Sequence, residues 1–118
     1  MNLEEVRAYC LNKKGVTEDF PFDEETLVFK VLGKMFLLTN VNDIDISVNL
    51  KCEPELAVEL REKYESVQPG YHMNKKMWNT VIYNGEFSEK DFYKMIDHSY
   101  DEVEKKMTKK MQLELAQL

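Results

Sequence analysis

The sequence has little of the residues that most enzymes and metal centres rely on: two cysteines, two histidines, four glycines and one tryptophan in 118 residues. Cys10 and Cys52 fall in different predicted elements and form no Cys-x-x-Cys pair, so both are read as buried, reduced thiols. There is no Gly-rich phosphate loop, no His-Glu-x-x-His and no Gly-x-Ser-x-Gly. Cys52 and His72 could in principle pair as nucleophile and base, but Cys52 follows an alternating strand pattern, where a small buried thiol is the commoner case. His98, in Asp97-His98-Ser99-Tyr100, lies within a predicted helix, and neighbouring helical residues do not face each other. A non-enzymatic protein without a cofactor is therefore expected. Met1-Asn2-Leu3-Glu4-Glu5 lacks the basic start and apolar run of a signal peptide, and no stretch is apolar enough to span a membrane. The expectation is a cytoplasmic protein with no membrane partner. Repeats, linkers and low-complexity stretches are also absent.

What is present fits one soluble domain over residues 1–118, 43% hydrophobic and 32% charged. A chain of this size buries enough surface to be stable without disulfide or metal. The net charge of −6 opposes non-specific nucleic-acid binding, because the summed field repels phosphate, yet it leaves room for a local basic patch. Charge is uneven along the chain. Acids crowd the first quarter (Glu4, Glu5, Glu18, Asp19, Asp23, Glu24, Glu25), and bases gather at Lys75 and Lys76 and again at Lys105, Lys106, Lys109 and Lys110.

Asn2 and Glu5 form a capping box, and Leu3, Val6 and Cys10 recur at helical spacing up to Gly15, predicting a helix over about residues 2–14. After a connection containing Pro21, Leu27 to Val31 alternates as a strand, turns at Gly33 and returns as Lys34 to Thr39. Ile46, Val48 and Leu50 give a third strand with one wet face. Pro54 suits the first turn of a helix whose Leu56, Leu60 and Tyr64 share a face. Val67 to Tyr71 reads as an edge strand, because Pro69 cannot sit in a central one, and Trp78 to Tyr83 as a firmer strand. Ser88 caps a long helix with the stripe Phe92, Met95, Ile96, Ser99, Val103 and Met107, and residues 110–118 continue it or fray. The order α-β-β-β-α-β-β-α with short connections predicts an α+β fold, an antiparallel sheet packed against helices.

Several segments resemble the MmcQ/YjbR family: Gly15-Val16-Thr17-Glu18-Asp19-Phe20-Pro21-Phe22, Val28-Phe29-Lys30-Val31, Gly33-Lys34-Met35-Phe36, Asn49-Leu50-Lys51-Cys52, Pro54-Glu55-Leu56-Ala57, Trp78-Asn79-Thr80-Val81 and Asp97-His98-Ser99-Tyr100. The most specific is Pro69-Gly70-Tyr71-His72-Met73-Asn74-Lys75-Lys76, and the match spans about residues 3–108. The resemblance implies a CyaY-like, frataxin-like fold and a role proposed for the family, DNA binding by a double-wing arrangement of β-hairpins.

The run from Val67 to Val81 holds the best candidate site, since surface loops rarely carry so many large, specific side chains without a reason. Lys75 and Lys76 would contact phosphate, Asn74 phosphate or a base edge, and Tyr71 and His72 would stack or hydrogen-bond, with Lys51, Arg61 and Lys63 in support. Two to four such contacts give weak, salt-sensitive binding. The plainer alternative has Trp78 in the core, Tyr71 and His72 tying a bulged edge strand, and the lysines solvated. The same surface suits a small molecule or a protein partner in place of DNA. A third possibility, loose frataxin-like metal binding by the N-terminal acids, draws on oxygen ligands alone, as no His or Cys joins them at ligand spacing.

Overall fold

The computed structural model describes residues 1–71 and 73–118. In chain order the elements are α1 (Leu3–Leu11), β1 (Val16–Asp19), β2 (Thr26–Val31), β3 (Lys34–Asn40), β4 (Ile46–Lys51), α2 (Pro54–Lys63), β5 (Val67–Pro69), β6 (Trp78–Tyr83), α3 (Glu89–Lys105) and α4 (Lys109–Ala116). The strands form one six-stranded antiparallel sheet in the order β1-β2-β3-β4-β6-β5. The expected α+β class, with an antiparallel sheet backed by helices, is what the chain adopts. Among the described residues no helix is long and apolar enough to cross a membrane.

Alternation sorts the strands into two faces. Leu27, Phe29, Val31, Leu37, Val48, Leu50, Val67 and Val81 join Val6, Cys10, Phe92, Ile96 and Val103 of the helices in the main core. Among the described residues the other face carries no helix. It holds a smaller cluster of Val28, Leu38 and Trp78, with Met35, Met73 and Met77 packed on it. Trp78 is therefore buried, as packing, but on the side away from the main core.

The β2–β3 pairing slips between Phe29 and Lys30, so that Phe36 is the extra residue of a bulge. Phe36 is fully buried against Tyr100, with ring centroids 5.5 Å apart. The bulge leaves its carbonyl outside the ladder, and Ser99 of α3 fills the gap. The Ser99 hydroxyl donates to the Phe36 carbonyl at 2.5 Å and accepts from the Lys51 N–H at 2.8 Å. A polar residue in an apolar stripe thus pins α3 to two strands, since buried backbone groups need partners.

Two elements depart from the sequence reading. Residues after Gly15 were expected to be a connection, yet Val16–Asp19 pairs with β2 as an edge strand. Its alternation is too polar to register as a strand period. What holds it is non-local: Arg7 of α1 grips Glu18, with Nε to Oε2 at 2.7 Å. At the other terminus α3 stops at Lys105, and Thr108 caps a separate helix by accepting from the Met111 N–H at 3.2 Å. That helix docks through buried Leu115 onto Gly15, where a Cβ would lie 2.8 Å from Leu115 Cδ1. Gly15 also has φ +71°, a conformation that glycine adopts without strain.

Candidate functional site

The connection between β5 and β6 is built by its own residues. The Gly70 N–H donates to the Trp78 carbonyl at 2.8 Å, and a Cβ at position 70 would come within 2.9 Å of the Trp78 Cβ and carbonyl oxygen. Only glycine allows the two strands so close. Asn74 works as a turn former: its carbonyl accepts from Met77 and Trp78, and its Oδ1 accepts from the Lys76 N–H at 3.0 Å. The Lys75 ammonium reaches back to the Gly70 carbonyl at 3.4 Å, while Lys76 is exposed. Tyr71 is 70% exposed, and its N–H donates to Thr80 Oγ1, which in turn donates to Asn49 Oδ1 at 2.7 Å. His72 lies outside the described residues. Beside this loop the helix-free face of the sheet is hollow, about 780 Å³, with Phe22, Tyr71 and Met73 around a polar floor of Ser47, Asn49 and Thr80.

The three supporting cations go to three different places, Arg61 and Lys51 beside the loop and Lys63 away from it. Arg61 donates from Nε to Asn79 Oδ1 at 2.7 Å, and its Nη2 donates to the carbonyls of Lys75 and Trp78. Its guanidinium clamps the loop from beneath. Asn79 is buried and donates in turn to the Ala57 carbonyl at 3.3 Å, tying loop, β6 and α2 together. Lys63 ends α2 with its ammonium 5.2 Å from the Tyr64 ring centroid, at the far end of the sheet from the loop. Lys51 closes β4 opposite Trp78, and it lines a recess of about 380 Å³ with Lys34, Trp78 and Lys106. Burial lowers the Lys51 pKa, and repulsion from Lys106 and Lys34 lowers it further, against the pull of Glu102.

These placements follow from strand direction. In an antiparallel sheet the end of β2, the start of β3, the end of β4 and the start of β6 lie at one end. The register puts Val31 opposite Lys34, Leu37 opposite Leu50, and Lys51 opposite Trp78. That end therefore holds Lys34, Lys51, Lys75 and Lys76, and the C-terminus of α3 adds Lys106. Two hairpin tips, at Leu32–Gly33 and between β5 and β6, flank it. Lys34 is the residue that sequence reasoning passed over, because a lone lysine after a turn glycine carries no signal until the hairpin is closed.

The opposite end is acidic, with Asp19, Asp23, Glu24, Glu25, Asp43, Asp45 and Glu86 on its loops and strand ends. Three of these acids, Asp19, Asp23 and Glu86, already have internal work. Asp23 accepts from the N–H groups of Glu25 and Thr26, at 2.8 and 2.6 Å, bonds that hold its carboxyl below the usual range. Asp19 faces Lys30 at 3.6 Å, Arg7 takes Glu4 and Glu18, and Glu86 accepts from Ser66. Among the described residues no three His, Cys, Asp or Glu side chains stand together as a metal site. Burial pushes both thiols up to about 12, so Cys10 and Cys52 are neutral at physiological pH.

A model of the YjbR family matches residues 11–102. The chain belongs to the YjbR family. Among relatives, it is 31% identical over 102 residues to the uncharacterised protein YjbR of Escherichia coli K12, covering 86% of both chains. With YbdF of Escherichia coli O157:H7, also uncharacterised, it shares 38% over 82 residues, 70% of this chain and 67% of that one. The crystal structure of Deinococcus radiodurans protein DR2400, described by the domain DUF419, superposes with a TM-score of 0.91 at 39% identity, over 98% of this chain and 88% of that one. A Pseudomonas syringae protein superposes with a TM-score of 0.69 at 29% identity, over 84% of this chain and 96% of its own. The family segment includes the loop, Lys34 and Lys51, and stops before Lys106.

Proposed function

We propose that this YjbR-family protein binds nucleic acid, DNA in the first instance, through the basic end of its sheet. The observation that carries the reading is convergence: Lys34, Lys51, Lys76 and Lys106 come from four chain-distant segments and share one end of the molecule. Lysines from remote segments rarely collect unless something anionic offsets their repulsion, and Lys51 already feels that repulsion. The two hairpin tips beside the patch support a double-wing engagement on a CyaY-like fold, each tip tracking one strand of phosphates. With a net charge of −6 the contact is local and modest.

A second reading rests on the hollow beside Tyr71, whose volume of about 780 Å³ suits a small molecule or a peptide segment as well as a splayed base. Fluorescence anisotropy with labelled duplex and single-stranded oligonucleotides separates the two. If phosphate contact drives binding, affinity falls with salt at a log–log slope of about −2 to −4 for duplex. Lys51→Gln with Lys106→Gln then reduces that slope by about 2. Salt-independent binding, or none at about 50 µM protein in low salt, removes the nucleic-acid reading and leaves the hollow as the better candidate.

A further inference from the structure

On the helix-covered side a separate cleft of about 250 Å³ runs between α2 and α3 above β4 and β6. We propose that this cleft binds a small amphipathic carboxylate, one ring or short branched chain ending in an anionic group. Leu56, Leu60 and Tyr64 line it from one face of α2, and Met95 from α3. All four are only partly buried, although each is large and largely apolar. The cause is in the packing: Ala57 is the one fully buried residue of α2, and so small a contact leaves the larger side chains around it uncovered. Apolar walls left partly wet around a cavity are what an apolar ligand would dry. Cavities of about 150 Å³ hold benzene, so this one takes a ring with a short side chain.

The polar groups define the other end of the ligand. Lys63 from α2 and Lys94 from α3 line the cleft, and among the described residues neither is in an ion pair. Asp91 is the single carboxylate in the lining, so the local balance is positive. His98 also lines it. Its Nε2 accepts from the Glu53 N–H at 3.1 Å, so in the neutral ring the proton sits on Nδ1. That Nδ1–H is the donor left to a ligand oxygen. Asn79, on the floor, has its carbonyl and amide taken by Arg61 and Ala57, and adds shape rather than a free polar atom. Lys51 lines both the cleft and the basic recess, but Lys63 and Lys94, which would hold the anionic end of the ligand, line the cleft and not the recess.

The probe is 3-phenylpropionate, titrated into the full chain and followed by methyl and amide NMR. Saturable shifts are expected at Leu56, Leu60 and Met95, with a Kd of about 1 mM or tighter. The neutral 3-phenylpropionamide should bind at least about fivefold more weakly. Lys63→Gln with Lys94→Gln should bring the carboxylate down to the amide's affinity, with an unchanged melting temperature confirming the fold. Leu60→Trp should block the cleft. Equal affinity for acid and amide, equal affinity for acetate, shifts confined to other faces, or no saturation at about 10 mM would each overturn the proposal.

Discussion

Ser99 shows how much one side chain can decide. Its hydroxyl serves two backbone groups that the Phe36 bulge leaves outside the ladder. Ser99→Ala should therefore lower stability by roughly 2–4 kcal/mol in denaturant unfolding, far beyond a typical Ser-to-Ala change, because both buried groups lose their partner. A loss under about 0.5 kcal/mol would mean that water or a small shift replaces the hydroxyl. From the sequence Ser99 was legible as a member of the stripe, but its task was not, since the bulge that needs it is more than sixty residues away in the chain. Arg61 makes the complementary case. Its charge suggested phosphate, whereas its guanidinium holds Asn79 and the loop carbonyls. Arg61→Met should cost roughly 1–3 kcal/mol and speed amide exchange at Trp78, while leaving the salt slope of nucleic-acid binding unchanged. A slope reduced by about 1 without loss of stability would instead make Arg61 a phosphate contact.

At the scale of elements, local signals and outcomes agree wherever the determinants are local. Asn2, Ser88 and Pro54 sit where capping logic puts them, and each strand with a clear apolar period forms. Glu53 is a less usual cap. Its carboxylate accepts from the N–H groups of Glu55 and Leu56, bonds that hold its pKa below the ordinary value near 4.5. A depressed folded-state pKa means that the cap's contribution is complete above about pH 4.5 and is lost as pH falls through the lower folded value. Protection factors of the α2 amides, corrected for the intrinsic pH dependence of exchange, should thus fall as pH drops below about 4.5, and Glu53→Gln should flatten that dependence. An α2 whose exchange follows the same course in both proteins would show the cap to be immaterial. The elements that the sequence did not reveal, β1 and the separate α4, have weak periods of their own. They form because Arg7 reaches Glu18 and because Leu115 finds the space that Gly15 leaves open.

The whole molecule is electrically lopsided, basic at the end with the two hairpin tips and acidic at the other. If the basic end meets nucleic acid, the acidic end repels it during approach. Glu24→Lys with Glu25→Lys, far from the patch, should raise the association rate by about two- to tenfold at low salt and leave the number of phosphates contacted, and hence the slope, unaltered. An unchanged rate would mean that the partner does not sense the summed field. Composition, capping residues and alternation by themselves determined the α+β class, the order of the main elements, and the burial of both thiols and of Trp78, because each rests on neighbours within a turn or a strand, while the family was legible in the resemblance of its motif segments. Only the tertiary structure decided which lysines stand together: Lys34 and Lys106 join Lys51, Lys63 goes to the cleft, and Arg61 becomes a clamp. Charge in a sequence has no direction, and antiparallel register supplies one by folding distant turns to the same end of the sheet.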